Sequence, residues 1–122
     1  MYQKTINIGG KDRVINFGLK AVSQIVDYED WGFATLAKKL QNNPFVTTPV
    51  VIYYGAKNGA EANGITVDFT INDVYNWIDE KGLSNKEVIE VLQLFSESIT
   101  SYVADLQGDL EAQEVEGNAK KK

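Results

Sequence analysis

The stretch from Asn85 to Leu106 sets the scale of anything this chain can fold into. Apolar residues recur there at Val88, Val91, Leu92, Phe95, Ile99, Tyr102, Val103 and Leu106, the three-and-four spacing of one apolar stripe on a helix. Ser84 followed three residues later by Glu87 has the form of a capping box, and Gly108 stands where a helix stop is expected. A helix of about twenty residues is roughly 30 Å long, the width of a small domain. A stripe of that length has to be covered, so the preceding residues are expected to pack along it.

Those residues begin with a predicted β-hairpin over 2–17. Ile6 and Ile8 alternate with Thr5 and Asn7, and Gly9-Gly10 is a two-residue turn signal. That turn sets position 8 opposite 11, 6 opposite 13 and 4 opposite 15. Tyr2, Ile6, Ile8, Ile15 and Phe17 then share one face, with Lys4, Lys11 and Arg13 at its margin. An isolated hairpin is marginal in water, so helices must cover that face.

Helices are predicted at about 19–29, 33–42, 49–62, 71–81 and 85–107. The first carries Leu19, Val22, Ile25 and Val26, and Asp30-Trp31-Gly32 breaks it. In the third, Thr48 reads as N-cap and Pro49 as the first helical residue, although Val50 to Tyr54 are equally the composition of a strand. Asn63-Gly64 is a turn, and Ile65 to Phe69 is a short strand or an extended loop. Thr70 with Asp73 opens the fourth helix, which Gly82 stops. From Gly108 apolar residues thin out among Glu111, Glu114 and Glu116, so 108–122 is expected to be a disordered charged tail. The expected fold class is α+β, mainly α: one globular domain at 1–107, a hairpin followed by about five helices with a long amphipathic one last.

Composition narrows the chemistry. The chain has no His and no Cys, so the commonest general base, the commonest metal ligand and the thiolate nucleophile are all missing. Neither a catalytic site, nor a metal, nor a cofactor is expected. A formal net charge of −5 opposes binding to nucleic acid or to an anionic membrane surface. No apolar run reaches the roughly 20 residues that span a bilayer, and Met1 to Thr5 lead into no signal-peptide core, so a cytoplasmic protein is expected. Carboxylate pairs such as Asp79 with Glu80 and Glu87 with Glu90 lie near Lys81 and Lys86 and read as solvated helix faces. Neither Gly9-Gly10 nor the glycines at 55, 59 and 64 fit a phosphate-loop pattern.

Aromatic residues are the remaining signal. Most of them belong to a core, but Tyr and Trp also anchor protein interfaces. Tyr53, Tyr54 and Trp77 are the candidates for partial exposure, and with Val50 they make the candidate partner-binding set.

The order of these features resembles the tail assembly chaperones of long-tailed bacteriophages and related prophages. The likeness runs from about Lys4 to Leu106: a strand into Gly10-Lys11, a second strand ending in Phe17-Gly18-Leu19-Lys20-Ala21, short helices over 44–63, then Thr70-Ile71-Asn72-Asp73-Val74-Tyr75-Asn76-Trp77-Ile78-Asp79-Glu80 and a last amphipathic helix with a charged tail. The resemblance implies a non-catalytic protein that holds the tape measure protein, helps recruit tail tube subunits, works in the host cytoplasm and is absent from the mature virion. It also implies forms of two lengths made by ribosomal frameshifting. Lys120-Lys121-Lys122 suits an A-rich slippery site, and equally a solubilising basic tip. A groove lined by Val50, Tyr53, Tyr54 and Trp77 would accept a helix of the tape measure protein. The alternatives are a tail or tail-completion protein retained in the particle, and a small cytoplasmic adaptor. Exposed hairpin edges and apolar helix faces also permit self-association.

Overall fold

The computed structural model describes the backbone of residues 2–28 and 32–121 and the side chains of 2–28, 35–36 and 38–106. The elements follow in the order β1 (Gln3–Ile8), β2 (Lys11–Asn16), α1 (Leu19–Val26), α2 (Gly32–Asn42), α3 (Pro44–Ala62), α4 (Ile71–Lys81) and α5 (Lys86–Lys121). The fold is mainly helical with an N-terminal two-stranded antiparallel hairpin. The end expected for the first helix at Glu29, and the break at Asp30-Trp31, lie outside the described residues.

The hairpin has the register that its turn requires, with Ile8 opposite Lys11, Ile6 opposite Arg13 and Lys4 opposite Ile15. Gly9 and Gly10 both take positive φ, 69° and 83°, which a tight hairpin turn of this hand needs and which side chains resist. Ile6, Ile8, Ile15 and Phe17 are buried on one face. α3 packs against β2 and α5 against β1. Phe17 meets Phe95 of α5 edge-on, ring centroids 5.2 Å apart, and Tyr2 stacks on Tyr102 at 5.0 Å.

The element at the centre is α3, which touches β2, α1, α2, α4 and α5. Its burial runs almost all round: Thr47 to Ile52, then Gly55, Ala56, Asn58, Gly59 and Ala60. A helix apolar on every side is one that other elements enclose. Asn58 is one of its buried polar residues, and its amide donates to the Gln24 side chain and to the Tyr54 carbonyl, each at 2.8 Å.

Three expectations about helix ends are corrected. α3 starts at Pro44 and not at Pro49. Pro44 takes the first helical position, where a missing N–H costs nothing, while Pro49 sits inside the helix with no N–H to give to the Phe45 carbonyl. The Thr48 side chain is buried in this helix instead of capping it; Thr47 Oγ1 donates to the carbonyls of Asn43 at 2.8 Å and Lys39 at 3.1 Å, tying α3 to the end of α2. At the start of α5 the cap is Asn85 and not Ser84: Asn85 Oδ1 accepts from the N–H groups of Glu87 and Val88 at 3.0 and 3.4 Å. Finally, α5 continues through Gly108 to Lys121, where a disordered tail is expected. A single glycine costs a helix only about 1 kcal/mol, and the surrounding Leu, Gln, Glu and Ala are good helix formers. Residues 65–70, left open between strand and loop, form a loop. α4 spans 71–81 with its capping box formed: Thr70 Oγ1 accepts from Asp73 N–H at 3.3 Å, and the Asp73 carboxylate accepts from Thr70 N–H at 2.7 Å.

Candidate functional site

The residues picked out from the sequence converge, but inward. Val50 is wholly buried beneath the hairpin and helices and is withdrawn as a surface residue. Tyr53 and Tyr54 are half-buried and belong to a row of rings: Tyr28 to Tyr54 at 6.2 Å, Tyr54 to Tyr53 at 5.1 Å, Tyr53 to Phe69 at 5.9 Å, Phe69 to Trp77 at 5.3 Å. Trp77 ends the row against the hairpin turn, so close that a Cβ on Gly9 would lie 2.4 Å from its ring. The aromatic row is chiefly packing.

Arg13 completes this packing from the other side. Its guanidinium lies 4.4 Å from the Trp77 ring centroid and 5.0 Å from that of Phe69. Nε donates to the Ile8 carbonyl at 2.9 Å and Nη1 to the Asp68 carboxylate at 2.8 Å. Lys11 also pairs with Asp68. Hydrogen bonds from Lys11 and Arg13 hold the Asp68 carboxyl down to about 2 from 3.8. This cluster is a clasp: it pins the loop over 65–70 to the hairpin turn and holds Phe69 in the core.

An open apolar surface lies elsewhere, at the junction of the first turns of α3 with the C-terminal end of α4. Phe45 is 68% exposed, Tyr75 38% and Leu83 36%. With Pro49, Ile78 and Asp79 they line an open groove of about 350 Å³. Among the described residues, Asp79 is the one charged side chain on its wall. The groove runs along one face of α4, since Tyr75, Asp79 and Gly82 are spaced by four and three residues. Its floor is rigid: Pro49 and Ile78 are buried in the body. Such a groove can take the apolar side chains of a peptide or helix laid across it, with Asp79 placed to meet a cation at the edge.

Sequence periodicity alone points away from Phe45. It lies seven residues before Ile52, on the same helical face, and Ile52 is buried. The body ends before Phe45 does. The available signal was Asn43-Pro44, which marks an N-cap and first helical position and would have put Phe45 in an exposed first turn.

Among the described residues no group of three or more carboxylates could hold a metal ion, and no helix is long and apolar enough to cross a membrane. No family model, no curated protein and no solved structure matches this chain.

Proposed function

We propose that this chain is a non-catalytic, protein-binding tail assembly chaperone of a long-tailed bacteriophage or prophage, acting on the tape measure protein and tail tube subunits in the host cytoplasm and left out of the mature virion. The observation that supports it best is the Phe45–Tyr75–Leu83 groove: bulky apolar side chains held in water by a rigid body in which the other described aromatics are at least half-buried. Exposed side chains of this kind that line a groove mark an interaction site. The tape measure protein is expected to present long amphipathic helices, and an apolar groove with one acid on its wall fits a helix whose apolar stripe is flanked by a basic residue. The net charge of −5 keeps a complex with such a partner in solution.

The test is co-expression with the product of the very long reading frame expected downstream, followed by pull-down. Phe45→Asp with Tyr75→Asp should abolish capture while circular dichroism and melting temperature stay those of the wild type. Capture unchanged in that variant would remove the groove from the interface. Mass spectrometry of purified virions separates a chaperone, which is missing, from a retained tail protein, which is stoichiometric.

A further inference from the structure

Two Asn-Gly pairs lie close together in the chain, Asn58-Gly59 and Asn63-Gly64. An asparagine followed by glycine is a thermolabile pair. The glycine nitrogen can add to the side-chain amide carbon of the asparagine, because no Cβ on the glycine shields it.

The structure separates the two pairs. Asn58 is 6% exposed inside α3, and its side-chain amide is held by Gln24 and the Tyr54 carbonyl. Gly59 is buried against the Val14 carbonyl, with its N–H in the helical ladder. Asn63 and Gly64 are exposed just past the end of α3. The Gly64 N–H reaches the Glu61 carbonyl only at 3.4 Å, and the space around Gly64 is open.

Asn63 is also a fastener. Its Nδ2 donates to the Gly59 carbonyl at 2.7 Å, one turn back, and to Gln3 Oε1 at 3.2 Å. Gln3 Oε1 accepts at the same time from Asn16 Nδ2 at 3.0 Å, and Asn16 Oδ1 accepts from the Gly18 N–H at 2.7 Å. These side-chain amides join the end of α3 to the open end of the hairpin. The joint depends on Asn63 being a donor.

We infer that Asn63 is a site of spontaneous modification, at which the side-chain amide is exchanged for a carboxylate and the joint to the hairpin opens. The Gly64 nitrogen gives its proton to solvent base and adds to Asn63 Cγ. The Cγ–Nδ2 bond breaks, and Nδ2 takes a proton from water and leaves as ammonia. Water then opens the succinimide ring. Opening at Cγ leaves aspartate; opening at the main-chain carbonyl leaves isoaspartate, whose backbone runs through the former side chain. One ammonia is exchanged for one water, and nothing is oxidised or reduced.

Aspartate has only acceptor oxygens where Nδ2 stood. They face the Gly59 carbonyl and Gln3 Oε1, and they lie at the negative end of the α3 dipole. Turning the Gln3 amide round to donate would deprive Asn16 Nδ2 of its acceptor. Isoaspartate displaces the backbone as well. The last turn of a helix opens far more readily than its middle. Asn63 therefore swings to Gly64 at little cost, while Asn58 reacts only when the body unfolds.

The whole chain is incubated warm at mildly alkaline pH and mapped by peptide mass spectrometry, with isoaspartate labelled by an isoaspartyl methyltransferase. Folded protein should convert Asn63 roughly a hundredfold faster than Asn58, since one opens locally and the other only with the body. In urea the two should convert at similar rates. Asn63→Asp makes the aspartate product directly. It should lower the urea midpoint, and the loss should shrink in a Gln3→Ala background. An Asn63 that stays intact in folded protein while the unfolded chain converts overturns the site. Equal rates at Asn58 and Asn63 in folded protein overturn the part assigned to the fold. A midpoint for Asn63→Asp equal to wild type overturns the opening of the joint, as does a loss of the same size with Gln3→Ala.

Discussion

Gly59 of α3 lies so close to β2 that a Cβ there would sit 1.8 Å from the Val14 carbonyl oxygen. Helix and strand meet backbone to backbone at that point, and the absent side chain is what lets the central helix close onto the edge of the hairpin. Gly59→Ala forces the two elements apart. It should cost about 3 kcal/mol or more, an overpacking effect at the high end because backbone cannot rotate away. Gly55→Ala meets the Phe17 ring at 2.6 Å and the Ile15 side chain at 3.0 Å, groups that can turn, and should cost about 1 kcal/mol. Urea denaturation checks the order; equal losses would mean that Val14 moves freely.

The clasp around Arg13 gives a second expectation. Its side chain is 11% exposed, stacked on two rings and bonded to Asp68. Arg13→Ala should lower stability by about 2 kcal/mol, the sum of a largely desolvated cation–π contact and charge-assisted hydrogen bonds. Arg13→Lys should recover less than half, because an ammonium cannot both stack flat and donate along two directions. Tryptophan fluorescence should shift in both variants, since Trp77 loses its cover.

Asp68 gives the clasp a pH dependence. Its folded value is lowered to about 2 from 3.8, so the unfolded chain takes up the proton first as pH falls. The contribution is complete above about pH 5, declines through the interval between the two values, and is gone below the folded one. Melting temperatures of wild type and Asp68→Asn should therefore differ by a constant amount near neutrality and converge toward about 2. Curves that stay parallel down to the acid limit would show that the carboxylate contributes nothing through its charge.

Cap chemistry at α5 separates two neighbours. Asn85→Ala should cost about 1 kcal/mol, the usual loss of a side-chain N-cap. Ser84→Ala should stay within about 0.5 kcal/mol, as at an ordinary exposed position. Thermal melts of the pair decide it, and a larger effect at Ser84 would return the cap to that residue.

What could be read without coordinates was what short-range chemistry dictates. The hairpin register follows from Gly9-Gly10, because only that turn and the alternation of Ile6 and Ile8 satisfy both strands. The start of α4 follows from Thr70 and Asp73, which bond to each other across one turn. The start of α3 is harder: Asn43-Pro44 and Thr48-Pro49 each have the form of an N-cap followed by a first helical proline, and local chemistry does not rank one above the other. At α5 the capping-box pattern points to Ser84, whereas its neighbour Asn85 is the cap.

The sequence by itself determined the elements, their order and the mainly helical class, since these rest on periodicity, turns and caps within a few residues of each other. Only the tertiary structure decided which apolar residues are core and which are surface. Val50 and Phe45 belong to the same helix; one is enclosed and the other stands in water because the body stops between them. Arg13 sits at a hairpin margin in the sequence, yet its partners Asp68, Phe69 and Trp77 lie more than fifty residues away. Burial is a property of what packs on a residue from elsewhere in the chain, and no local pattern carries that information.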